Sequence, residues 1–225
     1  MPGALGDRGG MATEVAFLRA MAFGAFGYGF AMKPEPRFVQ PAKGSRPRGS
    51  RLIELYSVKL GRRVTAYSRE QYEILLGAEV DSTVACYCER PTLDGLASDV
   101  WEKRSNNEQF AVLTEGSCVD SWMGIRVARI SAAELASKQQ WLRNWESMLP
   151  AVIANRDVMD RTLRNEIRRL VTEPMSLAVI ERELTVGDPA RIRAGIFRLL
   201  LEGELKAPGL HDEPLTLAIR IGPAS

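Results

Sequence analysis

The chain of 225 residues is long enough for one large domain or two small ones, since typical domains contain roughly 100–150 residues. Hydrophobic residues make up 45% of it and charged residues 26%, which excludes a disordered, fibrous or collagen-like protein. The formal net charge of +2 is too small to indicate nucleic-acid binding by itself. We therefore expect a folded protein, and a change of pattern near the middle of the sequence favours two domains.

The three cysteines and the single histidine do not have the spacing of a zinc site. Cys86, Cys88 and Cys118 are instead typical of buried free thiols in a reducing compartment. The apolar segment 15–32 is interrupted by an arginine and lacks the cleavage site of a signal peptide. These features predict a soluble, cytoplasmic protein that is neither exported nor inserted into a membrane.

Residues 1–50 are rich in glycine, proline, alanine and arginine, and this composition predicts a flexible arm. A basic run begins in the arm and continues beyond it. Such a run is most often a solvated tail, and contact with nucleic-acid phosphates is the alternative. The candidates for phosphate contact are Arg46, Arg48, Arg51, Arg62 and Arg63.

Strand and helix patterns begin at residue 52. Two short runs of β-forming residues, 51–58 and 62–68, predict a β-hairpin with Gly61 in its turn. Residues 68–81 have apolar side chains at helical spacing, and Ser68 is placed to cap the helix. Three strands are predicted next, within 83–93, 98–104 and 108–116, and a fourth at Ile125–Ile130.

The pattern becomes helical after Ser131, which forms a predicted capping box with Glu134. One helix is expected over 131–156, and three more within 157–173, 175–185 and 188–205. The last has Asp188 as its cap and a proline at its first position. Two short strands are then predicted, one ending near Lys206 and one over 215–221.

Three helices followed by a β-hairpin is the element order of a winged helix, in which residues 190–202 correspond to the recognition helix. The candidates for DNA contact on this helix are Arg191, Arg193 and Arg198. The alternative is that these arginines are exposed on a helix that packs through its apolar side. Winged helices also bind proteins, so the fold alone does not identify a ligand.

Residues 68–91 resemble the N-terminal domain of the TnsA family, the endonuclease subunit of heteromeric cut-and-paste transposons. The family pattern has a serine, a catalytic glutamate three residues later, an apolar helix and then the sequences Glu-Phe-Asp and Glu-Gln-Pro. These positions fall on Ser68, Gln71, Glu79-Val80-Asp81 and Glu89-Arg90-Pro91. The resemblance extends over about residues 50–220 when the winged helix is included.

The resemblance implies an α/β fold, with a restriction-endonuclease-like domain built on a mixed sheet followed by a helical winged-helix domain. The nuclease-like domain is expected over 51–135, and the helical linker with the winged helix over 136–225. By the same resemblance the metal-binding aspartate is Asp99. The family's acid-or-amide position and its lysine position fall on Val112 and Thr114.

Hydrolysis in this fold requires at least two acidic groups for Mg²⁺ and a lysine near the attacking water. In this chain Asp99 is present, whereas Gln71 occupies the glutamate position and Thr114 the lysine position. The resemblance therefore implies a degenerate catalytic site, weak metal binding at Asp99 and no required cofactor, with Mg²⁺ expected only if the nuclease is active.

The leading hypothesis is a catalytically inactive, TnsA-like accessory subunit of a DNA transposition machinery. The resemblance implies DNA, a DDE-type transposase and an AAA+ ATPase regulator as its partners. One alternative is an active Mg²⁺-dependent endonuclease that cuts transposon ends, in which Glu70 or Glu73 and Glu108 or Glu115 assist Asp99. Another is a winged-helix DNA-binding regulator with no link to transposition.

Overall fold

The computed structural model describes residues 41, 46–93, 96–114, 121–122, 125–157, 161–184 and 188–224. They all belong to one compact unit, residues 31–225. Most of the predicted arm, including the apolar segment 15–32, lies outside the described residues, as do Cys118 and Glu115. None of the helices in the described part is long and apolar enough to cross a membrane.

The predicted hairpin and first helix are confirmed. Strands β1 (Ile53–Ser57) and β2 (Arg62–Ala66) pair antiparallel, and Gly61 closes the turn with a φ of 64°. Helix α1 (Arg69–Val80) begins where Ser68 Oγ accepts the backbone N–H of Gln71 at 3.1 Å. This cap satisfies a donor that the first helical turn leaves without a partner.

A five-stranded sheet follows α1 and makes the protein a mixed α/β structure. The strands of this region are β3 (Val84–Glu89), β4 (Thr92–Leu93), β5 (Leu96–Ala97), β6 (Val100–Arg104), β7 (Gln109–Thr114), β8 (Ser121–Trp122) and β9 (Ile125–Ile130). The sheet order is β3-β6-β7-β9-β8, while β4 and β5 form a separate hairpin. Strands β3, β6 and β7 are antiparallel neighbours, and β9 runs parallel to β7. All four longer strands were predicted; the two-residue strands were not.

The rest of the chain is mostly helical. Its elements are α2 (Ala132–Ser137), α3 (Gln139–Ala154), α4 (Arg161–Leu170), β10 (Met175–Ser176), α5 (Leu177–Glu183), α6 (Pro189–Leu201), β11 (Leu205–Lys206) and β12 (Arg220–Pro223). The small strands form a sheet in the order β10-β12-β11. Ser131 caps α2 and Asp188 caps α6, as predicted. The Glu134 side chain, however, turns to Lys138 instead of completing the capping box.

The prediction of one helix over 131–156 is wrong, because the chain forms α2 and α3 with Lys138 between them. Lys138 has φ −95° and ψ 2°, outside the helical region, and its N–H bonds to the carbonyl of Leu135 at 3.1 Å. The Ser137 hydroxyl donates to the carbonyl of Glu134 at 2.8 Å. A local side-chain bond of this kind competes with the regular helical ladder.

The prediction of a strand over 215–221 is also wrong in its first five residues, since β12 begins at Arg220. The backbone N–H and C=O groups of residues 215–219 make hydrogen bonds outside a strand ladder. The Leu215 N–H donates to Asn144 Oδ1 at 2.9 Å, and the carbonyls of residues 217 and 219 accept the first N–H groups of α5. A buried asparagine on α3 and the start of α5 thus replace the strand ladder.

One hydrophobic cluster runs through the described structure from β1 to β12. Leu55, Tyr87, Met148, Phe197 and Ile221 are all buried members of it. Helix α3 packs against both α1 and α6, so it joins the strand-rich and the helical parts. The predicted boundary between residues 135 and 136 lies inside this continuous core.

A buried carboxylate ties the hairpin to α1 and β3. Glu79 is 0% exposed and accepts four hydrogen bonds. Its Oε2 accepts the hydroxyls of Ser57 at 2.6 Å and Tyr87 at 2.9 Å, and its Oε1 accepts the N–H groups of Val58 at 2.8 Å and Lys59 at 3.3 Å. A carboxylate satisfies all four donors, and these bonds hold the end of β1 against the helix that starts at the candidate site.

Lys59 closes the other end of this network. Its Nζ donates to the carbonyls of Ala78 at 2.8 Å and Asp81 at 2.5 Å, at the C-terminal end of α1. Burial lowers the pKa of Lys59 from 10.5 to about 8, although nearby carboxylates favour the charged form. The neutral amine retains two N–H donors, so deprotonation does not by itself break the contacts to the helix end.

We predict that Glu79→Gln lowers the free energy of unfolding by about 1–3 kcal/mol, the cost of leaving buried polar groups without partners. The new amide N–H₂ cannot accept the donors that one carboxylate oxygen now accepts. Chemical denaturation of the two proteins measures the difference. Glu54→Gln is the matched control, since Glu54 is half-exposed on β1; a loss as large in the control would contradict the role given to Glu79.

The lowered pKa of Lys59 predicts that the free energy of unfolding depends on pH. Its folded pKa lies below its unfolded pKa, so between about pH 8 and 10.5 the unfolded state binds more protons and stability rises with pH through this group. Relative to Lys59→Met, the wild-type free energy of unfolding should therefore increase across this range. Parallel denaturation curves at a series of pH values test it, and a constant difference between the proteins would contradict the lowered pKa.

Candidate functional site

Two of the predicted catalytic positions meet where α1 and β6 begin. Gln71 Nε2 donates to Asp99 Oδ1 at 3.3 Å, although the two residues are 28 positions apart in sequence. Val112 is adjacent through the backbone, because the Asp99 N–H donates to its carbonyl at 3.2 Å. Thr114 lies two residues further along β7, opposite Ile130 of β9. The structure therefore gathers these four positions around one end of the sheet.

The amide of Gln71 is held from two sides. Its Oε1 accepts the N–H of Tyr67 at 3.0 Å, which fixes the chain just before α1, and this leaves Nε2 directed at Asp99. The Asp99 carbonyl in turn accepts the N–H of Arg90 at 2.8 Å. A glutamate at position 71 would accept the same backbone N–H, but it could not donate to Asp99 and would face it as a like charge.

Val112 and Glu89 do not provide further metal ligands. The Val112 side chain is 3% exposed and belongs to the hydrophobic core. Glu89 is 2% exposed, and its two oxygens accept a bidentate pair from Arg62 at 2.6 Å each. This hydrogen-bonded pair raises the pKa of Arg62 and occupies the carboxylate fully.

The acidic residues of the alternative, active site also face elsewhere. Glu73 accepts Arg69 at 2.8 Å and Gln139 at 3.0 Å, so it faces α3. Glu70 is exposed on the first turn of α1. Glu108 is exposed in the β6–β7 turn, where it accepts an asparagine amide.

The described residues do not fit a resident Mg²⁺ ion. Nowhere in the described ranges do three His, Cys, Asp or Glu side chains converge in a way that could hold a metal. At the candidate site the described residues contribute one carboxylate and one amide, whereas Mg²⁺ needs a near-octahedral set of oxygen ligands that includes anionic groups.

Arg90 is a site residue that was not selected from the sequence. Its guanidinium lies 4.2 Å from the ring centre of Tyr67, and Nη2 donates to Thr65 Oγ1 at 2.9 Å. Its backbone is left-handed, with a φ of 45°, and its Nε is buried without a hydrogen-bond partner. The available signal was an arginine where the TnsA pattern has a glutamine.

The five arginines predicted near the N-terminus differ in their surroundings. Arg46 and Arg51 line a cavity of about 710 Å³ together with Tyr67, Ser68 and Arg69, beside the start of α1. Arg48 is exposed, and Arg63 is 75% exposed with Glu54 at 4.0 Å. Arg62 is already paired with the buried Glu89. Four of the five are thus exposed, and two of these, Arg46 and Arg51, line the cavity beside the start of α1.

Two of the three candidate arginines of α6 are held in ion pairs. Arg193 makes a bidentate pair with Glu181 at 2.6 and 2.9 Å, and Arg198 pairs with Glu202 at 2.6 Å. Arg191 lies on the exposed first turn of α6. Most of the remaining helix is buried, and contact of this helix with DNA stays a prediction.

The two described cysteines are buried and free, which confirms that part of the sequence prediction. Burial raises the pKa of both thiols, and that of Cys88 reaches about 12. A thiol needs deprotonation to act as a nucleophile or a metal ligand. Cys86 and Cys88 therefore remain protonated, structural groups near neutral pH.

Comparison with known proteins adds no relative: neither a protein-family model nor a curated protein sequence matches the chain significantly. The resemblance to the TnsA family consequently depends on the residues that carry it. The contact between Gln71 and Asp99 is relevant here, because the two positions were chosen by that resemblance and not by their proximity.

We predict that Gln71→Glu creates a divalent-metal site with Asp99. A second carboxylate within about 3.3 Å of the first supplies the missing anionic ligand. Mn²⁺ affinity, measured by calorimetric titration, should rise by about 10–100-fold, the range found when groups that tune a metal site are changed. Adding Asp99→Asn to the variant should abolish the gain; wild-type protein that already binds Mn²⁺ as tightly would contradict the prediction.

Proposed function

We propose that this protein is a TnsA-like accessory subunit of a DNA transposition machinery that acts by binding DNA and protein partners instead of by cutting DNA. The observation that carries the proposal is the contact between Gln71 and Asp99. The family pattern assigns these positions to one metal site, and their side chains lie within hydrogen-bond distance of each other. Because Gln71 carries an amide where the family pattern has a carboxylate, we propose binding and not hydrolysis.

The order of elements gives further support. Helix α1, the antiparallel strands β3, β6 and β7, and the parallel strand β9 form a mixed sheet with a helix at its start. This is compatible with the proposed restriction-endonuclease-like domain. The helices α4, α5 and α6 with the sheet β10-β12-β11 are compatible with a winged helix, since β10 lies between the first two helices and β12 closes the hairpin.

The proposed DNA-binding face is the basic surface beside the start of α1. Arg46 and Arg51 line the cavity there and Arg48 lies between them in sequence; all three are exposed. Arginine binds phosphate through a planar fork, and contacts with phosphates position a protein on DNA without reading its sequence. The helical part, whose α6 arginines are largely paired with glutamates, is proposed as the surface for the transposase or the AAA+ regulator.

The experiment is a pair of assays on the whole chain. Fluorescence anisotropy with a labelled duplex should show binding that weakens steeply as salt rises from 50 to 200 mM, about the range over which counterion release dominates. Supercoiled plasmid with Mg²⁺ or Mn²⁺ should stay uncut. Nicking that Asp99→Ala abolishes would overturn the proposal, and so would the absence of any DNA binding.

Replacing Arg46, Arg48 and Arg51 by alanine tests the face itself. Each arginine that contacts a phosphate contributes about one unit to the slope of log affinity against log salt, so the triple variant should lower the slope by up to about three. A matched control removes three exposed arginines of the helical part, Arg143, Arg169 and Arg182. An equal loss in both variants would show that net charge, and not this face, governs binding.

A further inference from the structure

Arg90 combines two unfavourable features in one residue. Its φ of 45° is in the left-handed region, which disfavours side chains other than those of glycine, asparagine and aspartate. Asn107 is the other non-glycine residue with a positive φ in the described part of the chain, and it lies in a turn where asparagine is usual. Arg90 also keeps Nε buried without an acceptor. Neither feature is accounted for by stability.

The contacts of Arg90 place it in the candidate site. Its guanidinium stacks on Tyr67, the Tyr67 N–H binds the Gln71 amide, and that amide donates to Asp99. The carbonyl of Asp99 accepts the N–H of Arg90, which closes the ring of four residues. Strained backbone is retained in proteins mainly where it positions a functional group. The strained residue here presents a guanidinium.

Arg90 differs from the neighbouring Arg62 in its ionic contacts. Among the described residues no carboxylate lies within ion-pair distance of Arg90, whereas the neighbouring Arg62 has a bidentate carboxylate partner. The Thr65 hydroxyl is a neutral acceptor that leaves other donors of the fork unused. A half-buried cation in this state favours an anion from outside the chain, and a phosphate matches the planar fork best.

The site is also more positively charged than the TnsA pattern implies. Relative to the TnsA pattern, Gln71 removes a negative charge and Arg90 replaces a neutral glutamine with a positive one. The cavity lined by Arg46, Arg51 and Tyr67 adjoins the same ring, since Tyr67 belongs to both. A backbone that follows this basic cavity arrives next to Arg90.

We infer that Arg90 binds a phosphodiester group of the DNA backbone beside the contact between Gln71 and Asp99. The guanidinium then supplies a positive charge to the phosphate, but it does not activate a water molecule. The site therefore binds the DNA strand without cleaving it. This inference deepens the proposed function and rests on it.

The test uses Arg90→Gly, because glycine accepts the left-handed backbone while the guanidinium is lost. Anisotropy titrations of a 20-base-pair duplex, a length of about two helical turns, are run at several salt concentrations. The salt slope should fall by about one unit, and the affinity should fall by a similar factor for different DNA sequences. The melting temperature should stay near that of the wild type, since relief of backbone strain offsets the lost stack on Tyr67.

Two controls separate charge from backbone effects. Arg182→Ala removes an exposed arginine at a distant helix and should leave the slope unchanged. Asn107→Gly changes a left-handed residue without changing the charge, and it should also leave the slope unchanged. If Arg90→Gly melts at a lower temperature and binds DNA with an unchanged slope, the arginine is structural and the inference is wrong, while the proposed function stands.

A second experiment distinguishes failure of the proposed function from failure of the anion site at Arg90. If the wild-type protein does not bind the duplex at all, the proposal of DNA binding fails, and inorganic pyrophosphate then probes the site alone. Pyrophosphate that raises the melting temperature of the wild type, but not that of Arg90→Gly, supports an anion site for a phosphate that does not come from DNA. Equal melting shifts in the two proteins overturn the site itself.

Discussion

A hard divalent cation is held by several oxygen ligands that carry negative charge, and this requirement decides what the end of the central sheet can do. There the Gln71 amide faces Asp99 at 3.3 Å, and the carboxylate of Glu89 is paired with Arg62. An amide that donates to a carboxylate forms a stable neutral-to-anion contact without a metal. With one carboxylate and one amide, this pair lacks the anionic ligands that a metal-dependent nuclease needs, and this is why binding is the function that we propose.

The surrounding fold holds this site in place. The buried Glu79 bonds to the end of β1 and to Tyr87 of β3, and Lys59 bonds to the last carbonyls of α1. Since α1 begins at the candidate site and ends at this network, the position of Gln71 depends on both ends of the helix. Helix α3 then joins α1 to α6, so the basic surface and the helical part are carried by one core.

Much of the fold follows from the sequence because its signals are local. Ser68 and Asp188 cap the helices that begin there, and Gly61 adopts the left-handed turn that its position suggested. The break at Lys138 and the late start of β12 were missed, because they depend on bonds whose partner is decided by tertiary packing, such as that between Leu215 and Asn144. At the site, the resemblance identified Gln71 and Asp99, but the role of Arg90 depends on a backbone angle and an absent partner, which no pattern of residues reveals.

The most direct measurement is a crystal structure of the protein with duplex DNA, grown with Mn²⁺ and recorded at a wavelength where manganese scatters anomalously. The account predicts a backbone phosphate within hydrogen-bond distance of the Arg90 guanidinium, an intact contact between Gln71 and Asp99, and no anomalous peak beside them. An anomalous peak coordinated by Asp99, with the strand cut or poised next to it, would contradict the account.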